Sequence, residues 1–304
     1  MTQAVEPRTG PPVAPTPVVD GEVAKRRGWG WLLLVPGMLW LAIFFVYPTI
    51  QLFFTSLYDP SGSYEQGYAQ TWHFANYVDA VRDTWNLFAR SFTYAGITTV
   101  VCLMLGYPLA YAIAFKAGRW KNVLLVLVIA PFLTSFLLRT LAWRTILSDN
   151  GPVTSFLQTI SVLPDDGRLL ATPLAVVAGL IYNFMPFMTL PLYASLDKVD
   201  PRLVEAAGDL YSTPFVGFRR VTLPLSMPGV VAGTLLTFIP ACGDYINAEL
   251  LGTPQQYMVG NRIQSAFLTE HSYPLAASLS ILLMLVVLVM VVAYVRRSGT
   301  EELV

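Results

Sequence analysis

Six apolar runs, each long enough to cross a bilayer as a helix, constrain this chain more than any other feature. A helical span needs about 20 mainly apolar residues. The runs cover residues 30–57, 91–115, 123–147, 173–196, 228–250 and 274–295. Inside a bilayer every backbone N–H and C=O must be satisfied within the protein, so runs of this kind fold as helices. Proline falls inside several of them, at Pro36, Pro48, Pro108, Pro131, Pro186, Pro191 and Pro240. Neighbouring helices can re-satisfy the backbone groups that proline frees. Only 12% of the residues are charged, against about 25% in an ordinary soluble domain. The expected fold is an all-α membrane protein of six transmembrane helices.

The segments around the runs carry less information. Residues 1–28 include "RTGPPVAPTPVVDG" and read as a disordered tail, because proline and glycine break helices and little there can be buried. The basic residues Lys25, Arg26 and Arg27 precede an apolar run about twice the length of a signal-peptide core, which reads as an uncleaved anchor. Residues 29–297 form the expected membrane domain, and 298–304 a short second tail. Cys102 and Cys242 lie within apolar runs and read as packing residues, with no CxxC pair. His73 and His271 stand apart in loops, so no metal-ligand spacing exists. The net charge is zero, which points away from nucleic acid.

Basic residues are sorted along the chain. With the N-terminus inside, the inner segments hold Lys25, Arg26, Arg27, Lys116, Arg119, Lys121, Lys198, Arg202, Arg219, Arg220, Arg296 and Arg297. The opposite segments hold Arg82, Arg90, Arg168 and Arg262. The positive-inside rule then places both termini and the polar insert between the fourth and fifth runs in the cytoplasm. The outer loops carry Asp59, Glu65, Asp79, Asp83, Asp149, Asp165, Asp166 and Glu270, an acidic face.

The insert, residues 197–225, is the least membrane-like stretch of the domain. Asp200-Pro201 is a helix start, with a capping carboxylate before a proline suited to the first turn. "RLVEAAGDLY" favours helix, and Val204, Ala207, Leu210 and Tyr211 fall near one side of it. Ser212-Thr213-Pro214 signals a second start, and "FVGFRRVTL" reads as a second helix with Phe215 and Phe218 on one face, ended by Pro224. Two readings fit the residues alone: an amphipathic loop resting on lipid, or a docking element that presents small residues and aromatics to a protein.

The stretch "EAAGDLYSTPFVGFRRVTLPLSMPGVVAG" resembles the EAA loop of binding-protein-dependent ABC importer permeases. Glu205, Ala206 and Ala207 match its start, and Val221, Leu223 and Pro224, followed by Pro228-Gly229, match its close. The usual glycine of the pattern is Tyr211 here. Within that superfamily the chain looks most like the spermidine/putrescine permease branch, through "GYPLAYAIA", "PFLTSFLLRTLAWRTIL", "YNFMPFMTLPLYASLDKVD" and "FIPACGDYINAELLGTP".

The resemblance implies one permease subunit of a type I importer in the bacterial cytoplasmic membrane. It implies a second permease subunit, two cytoplasmic ATPase subunits that bind ATP and Mg, and an external substrate-binding protein. The insert becomes a coupling-helix loop between helices four and five. Its ATPase-contacting residues are Glu205, Ala206, Ala207, Gly208, Leu210 and Tyr211. The residues agree on one point independently: there is no GxxxxGK[ST] phosphate loop, so ATP hydrolysis falls to a partner and this chain is not an enzyme.

Charges inside a span are functional candidates by default. The fifth run contains "PACGDYINAELLG". As one continuous helix it would place Asp244 about 27 Å from Ser226, close to the outer mouth of a hydrocarbon layer about 30 Å thick. Asp244 and Asn247 would then share one face, Tyr245 and Glu249 another, and the four are the expected substrate-pathway residues. Asp244 would contact a translocating cation and Glu249 would act at longer range. Arg139, at similar height in the third run, is expected to pair with one of the acids. Trp143, Tyr182, Phe184 and Phe187 are candidates to line a cation pathway.

Two other classes remain to be weighed. A stand-alone secondary transporter or channel has no use for a docking insert, and no inverted repeat is evident. A membrane enzyme needs a nucleophile–base pair or metal ligands within the bundle, and none is found in the sequence.

Overall fold

The computed structural model describes residues 33–209 and 213–297. The two expected tails, 1–28 and 298–304, lie outside the described residues. Among the described residues four helices are long and apolar enough to cross a membrane, and six spans result if each of two bent helix pairs counts as one.

The first span, α1, is Val35–Ser56. It contains a widened π turn, Ala42–Val46, in which Tyr47 donates its N–H to the Ala42 carbonyl. Pro48 follows directly and has no N–H to give. Up to Thr49 this helix belongs to a unit of its own.

The second unit begins at Ile50 and contains the remaining spans. Helix α2, Ala75–Tyr111, has 37 residues, about 55 Å at 1.5 Å per residue. It therefore outruns the hydrocarbon layer, and the apolar run that begins at 91 is only its membrane part. Ala80, Thr84, Phe88 and Ser91 are buried while Asp79, Arg82 and Asp83 are exposed. That spacing makes the first turns of α2 amphipathic beyond the apolar run.

The third span is broken, which corrects the expectation of one helix over 123–147. Helix α3, Lys121–Ile129, passes into a 3-10 turn, Ala130–Leu133. The chain is extended at Thr134–Ser135 and restarts as α4, Phe136–Ile146. The two arms lie 94° apart. Pro131 cannot donate an N–H, and the Thr134 hydroxyl donates to the Pro131 carbonyl at 2.8 Å, closing the first arm.

A short helix α5, Pro152–Thr159, precedes α6, Pro173–Leu196. The latter has the bounds expected from sequence. Thr172 caps it by accepting from the Ala175 N–H at 3.2 Å, and Pro173 occupies the first turn.

The insert contributes α7, Pro201–Asp209. Its second part is helical but irregular: one α turn, Pro214–Gly217, a π turn, Phe218–Thr222, and a last turn, Leu223–Leu225. Pro224 therefore lies inside the final turn, and the chain bends at Ser226, where α8, Met227–Cys242, leaves at 67°.

The fifth span is also interrupted. Pro240 removes one backbone donor, and the helix stops at Cys242. After Gly243–Tyr245 the chain restarts as α9, Ile246–Leu251, which overturns the continuous helix expected from Ser226 to Glu249. Helices α10, Val259–Leu268, and α11, Tyr273–Arg297, complete the described residues.

Helices α2, α6 and α8 pack pairwise and form the centre. Cys102, Met188, Leu192 and Val230 meet there. Gly229 and Gly233 of α8 allow a close approach to α6, since a Cβ would lie 2.5 Å from Ser195 Cβ at the first and 2.9 Å from Met188 Sδ at the second. Small residues at helix contacts are how membrane bundles gain packing without a hydrophobic drive. Ala80 and Phe88 of α2 meet Val259 of α10 and Leu279 of α11 in a second cluster.

Candidate functional site

The insert is rooted on both sides. Lys121 pairs with Asp197 at 2.5 Å, directly after α6 ends. Asp200 then starts α7: its carboxylate accepts from the Arg202 N–H at 2.9 Å and its carbonyl from the Leu203 N–H at 3.0 Å. On the far side, the Tyr107 hydroxyl shares a 2.6 Å hydrogen bond with Ser226 at the bend. Phe218 meets the Tyr107 ring edge-on at 5.4 Å, whereas Phe215 is 70% exposed. The two phenylalanines expected to share a face therefore have different surroundings, one ring packed on Tyr107 and the other exposed.

Between these anchors α7 presents its outer side. Glu205, Ala206 and Gly208 are exposed, and Val204 is half-buried. Nothing lies within 4 Å of a Cβ built on Gly208. Ala207 belongs to the same helix. Leu210 and Tyr211 lie outside the described residues. Beneath α7 is a cavity of about 610 Å³, lined in part by Ser195, Lys198, Asp200, Leu203 and Leu225. An exposed helix that presents Glu205, Ala206 and Gly208 and is anchored where it leaves α6 suits insertion into a cleft of another protein.

The second group of residues lies where the fifth span breaks. Gly243 and Pro240 lie at the end of α8, and α9 starts after its N-cap residue Tyr245, with Asp244 just before it. One Asp244 oxygen accepts from the Asn247 N–H at 2.9 Å and the other from the Asn247 side-chain amide at 3.1 Å. The carboxylate is 8% exposed.

The network continues inward. The Asn183 amide of α6 donates to Asn247 Oδ1 at 3.0 Å and to Thr140 of α4 at 3.2 Å. Three helices, α4, α6 and α9, thus meet through one polar chain that ends at Asp244 in the break. Asp244 and Asn247 are brought together, as expected, but by hydrogen bonds at the restart of the helix rather than by sharing a face of a continuous helix. Tyr245, 38% exposed, and Glu249, also exposed, point elsewhere. The Tyr245 carbonyl accepts from the Glu249 N–H and from the Asn261 amide, both at 2.9 Å, which ties α10 to the break.

Asn183 and Thr140 were not among the residues singled out from the sequence. Each is a polar residue inside an apolar run, and that signal alone was available to find them.

Arg139 corrects another expectation. Among the described residues the ion pairs are Lys121–Asp197, Arg168–Asp149 and Arg262–Glu270, so Arg139 pairs with neither Asp244 nor Glu249. Its guanidinium lies over the Phe132 ring at 4.9 Å and the Phe136 ring at 5.7 Å. Outside the membrane runs, the hydrogen bond from Arg262 holds the Glu270 carboxyl below its usual range. The aromatic candidates mostly pack on one another, Trp143 on Tyr182 at 5.3 Å and Phe184 on Phe187 at 6.1 Å.

A glycine of α6 lets α9 pack closely after the break. A Cβ on Gly179 of α6 would lie 2.4 Å from Leu251 Cδ1 and 2.7 Å from Asn247 Oδ1. Gly179→Ala should push α9 away from α6 and cost about 1–3 kcal/mol, the usual range for overpacking. A lowered melting midpoint of the purified chain in detergent checks this; an unchanged midpoint contradicts the close approach.

Residues 103–298 match the family described as "Binding-protein-dependent transport system inner membrane component". The chain is 35% identical to the spermidine/putrescine transport system permease protein PotB of Haemophilus influenzae, over 89% of this chain and 91% of that protein. Two solved structures share the fold. A bacterial ABC transporter that imports the acidic polysaccharide alginate matches with a TM-score of 0.71 at 20% identity, over 91% of this chain and 98% of the matched one. The same kind of transporter in complex with an alginate pentasaccharide-bound periplasmic protein matches at 0.66 and 20% identity, over 90% and 96%. With six spans when the bent pairs are joined, an exposed helical insert and a family match over most of the membrane domain, the chain belongs to the binding-protein-dependent transport system inner membrane components.

Proposed function

We infer that this chain is a permease subunit of an ATP-driven ABC importer that carries polyamines of the spermidine and putrescine class. The observation that carries this reading is the 35% identity to PotB, which spans nearly all of both chains. The solved transporters support the fold and no substrate, because alginate is acidic and they share only 20% identity with this chain.

The membrane domain, 29–297, forms the translocation path with a second permease subunit. The insert, 197–225, seats α7 in a cleft of a cytoplasmic ATPase subunit, through Glu205, Ala206, Ala207, Gly208, Leu210 and Tyr211. Exposure of Glu205, Ala206 and Gly208 supports this. The basic residues flanking the insert favour the cytoplasmic side for it and for both termini. Two ATPase subunits bind ATP and Mg, and their closure drives the paired permeases. An external binding protein delivers the substrate, in line with the family's description.

Within the path, Asp244 is the anionic contact for an ammonium group. Its carboxylate is oriented by Asn247 and shielded from water, so attraction to a cation is strong. Glu249 and Tyr245 act nearer the exposed surface.

A growth test decides the class. A bacterial strain unable to make polyamines and lacking its own importer should regain growth on micromolar spermidine when it receives the complete importer. Failure to regain growth, with the complex present in the membrane, would remove the polyamine assignment and leave the family intact.

A further inference from the structure

Three helices lead from the insert into the domain, and two of them are weakened on the way. Helix α8 leaves at the 67° bend, and Pro228 has no N–H to give back across it. Helix α6 carries Pro186 and Pro191 between Asn183 and the insert, and each removes one backbone hydrogen bond. Helix α2 has no proline between Ser91 and Tyr107, a stretch of about 24 Å at 1.5 Å per residue.

Helix α2 is also fastened at both ends of that stretch. At the inner end the Ser226 hydroxyl donates to the Leu223 carbonyl at 3.0 Å, which can only accept. The Tyr107 O–H is therefore the donor in its 2.6 Å bond to Ser226 Oγ. Both residues are buried. Phe218 of the insert meets the Tyr107 ring at 5.4 Å and the Tyr111 ring at 6.4 Å. At the outer end Ser91 Oγ accepts from the Val259 N–H, and Arg90 donates to the Tyr257 carbonyl, both at 2.8 Å. The start of α10, so held, presses on the break of the fifth span. A Cβ on Gly260 would lie 2.5 Å from the Gly243 carbonyl oxygen, and the Asn261 amide donates to the Tyr245 carbonyl at 2.9 Å. One helix thus joins the insert to the two residues that flank Asp244.

We propose that α2 carries the ATPase stroke from the insert to the break of the fifth span, and that Tyr107 is the positioning residue that fastens the insert to α2. The inference rests on the coupling role of the insert. When the insert moves, Tyr107 and Phe218 keep it on α2, and the bend at Ser226 absorbs the change of angle to α8. Helix α2 then shifts as a unit and moves the start of α10 against Gly243 and Tyr245, so the surroundings of Asp244 follow the state of the ATPase.

Uptake and ATP hydrolysis by the complete reconstituted importer test this. Tyr107→Phe keeps the ring against Phe218, and Ser226 keeps Leu223 as its acceptor, so no buried donor is stranded. The complex should retain its ATPase and its melting midpoint, while uptake per ATP hydrolysed falls about fivefold or more. A purely structural role would lower uptake and hydrolysis together; an unchanged ratio overturns the proposal. The double variant with Ser226→Ala should match the worse single one, and losses that multiply overturn the pair as one fastening. Spin labels follow the motion without altering the pair, and decide the matter if Tyr107→Phe fails to assemble. After Cys102 and Cys242 are replaced by alanine, Arg219→Cys of the insert is combined with Met104→Cys of α2 or with Leu236→Cys of α8, all three positions being exposed. Between the nucleotide-free and ATP–vanadate-trapped importer the distance from 219 to 104 should hold and that from 219 to 236 should change. A change from 219 to 104 as large as that from 219 to 236, or no change in either, overturns the α2 route. An unmodified chain that retains no ATPase subunit removes the coupling role of the insert, whereas an unchanged ratio in Tyr107→Phe removes only the route through α2.

Discussion

Gly208→Trp should leave the chain folded and inserted, yet lower ATP-driven uptake by about tenfold or more, which corresponds to ~1.4 kcal/mol of lost docking. Gly208 is exposed on α7, and a Cβ there meets nothing within 4 Å. A bulky ring therefore has room in the chain itself. It has none if this surface is pressed into a cleft of an ATPase subunit, because well-packed interfaces reject added volume. Co-purification with the ATPase subunit and uptake in proteoliposomes measure the two halves of the claim. Normal uptake by Gly208→Trp would remove α7 from the coupling interface. Glu205→Ala should show a smaller loss, since an exposed carboxylate contributes through the rim of an interface more than through its centre.

The second large effect is expected at Asp244. Asp244→Asn keeps the volume and removes the charge, and should cut spermidine uptake by about tenfold or more. The substitution also turns one acceptor into a donor opposite the Asn247 N–H or amide, at 2.9 and 3.1 Å. That mismatch costs about 1–3 kcal/mol of local stability. Thermal stability of the assembled complex must therefore be measured beside uptake. Loss of uptake with the complex still assembled supports the charge role. Uptake at the normal rate dismisses Asp244 as a cation contact. Glu249→Gln should have the lesser effect, because Glu249 is exposed and lies on the restarted helix α9 away from the polar chain.

Much of the fold was legible because membrane helices write themselves in apolar length. Helix α6 was placed with its final bounds, since Thr172-Pro173 supplies both a cap and a proline for the first turn. The two broken spans were not. At Thr134–Ser135 neither residue is glycine or proline, and the stop depends on Pro131 three residues earlier and on a threonine hydroxyl closing back onto it. Proline is common enough in membrane helices that Pro131 alone does not announce a 94° turn. At Gly243 the apolar run continues on both sides of the break, so hydropathy carries no mark of it. Only the sequence Pro240, Gly243, Asp244 reads as stop and restart.

The candidate site was legible in its acids and not in its partners. Asp244 and Asn247 stood out by polarity, but the count along a continuous helix gave them the wrong relation to one another. Arg139 was expected to neutralise an acid and instead rests on two phenylalanines, because the bend of the third span, invisible in hydropathy, sets where its side chain points. Asn183 joins α4, α6 and α9 through contacts between residues 43 and 64 positions apart, which no local pattern reports. The insert was legible for the opposite reason. Its Glu-Ala-Ala helix, start signal and flanking charges are all local, and the structure keeps Glu205, Ala206 and Gly208 on the surface.

The central claim is that this chain, with its partner subunits, moves a polyamine inward at the expense of ATP. The most direct measurement is uptake of radiolabelled spermidine by proteoliposomes that contain the purified permease pair and ATPase, with the binding protein outside and ATP inside. Saturable accumulation that stops when ATP is omitted, is competed by putrescine and is indifferent to excess thiosulfate is the predicted result. Transport of an anion in preference to spermidine, or spermidine movement that is independent of ATP and of the binding protein, would contradict it.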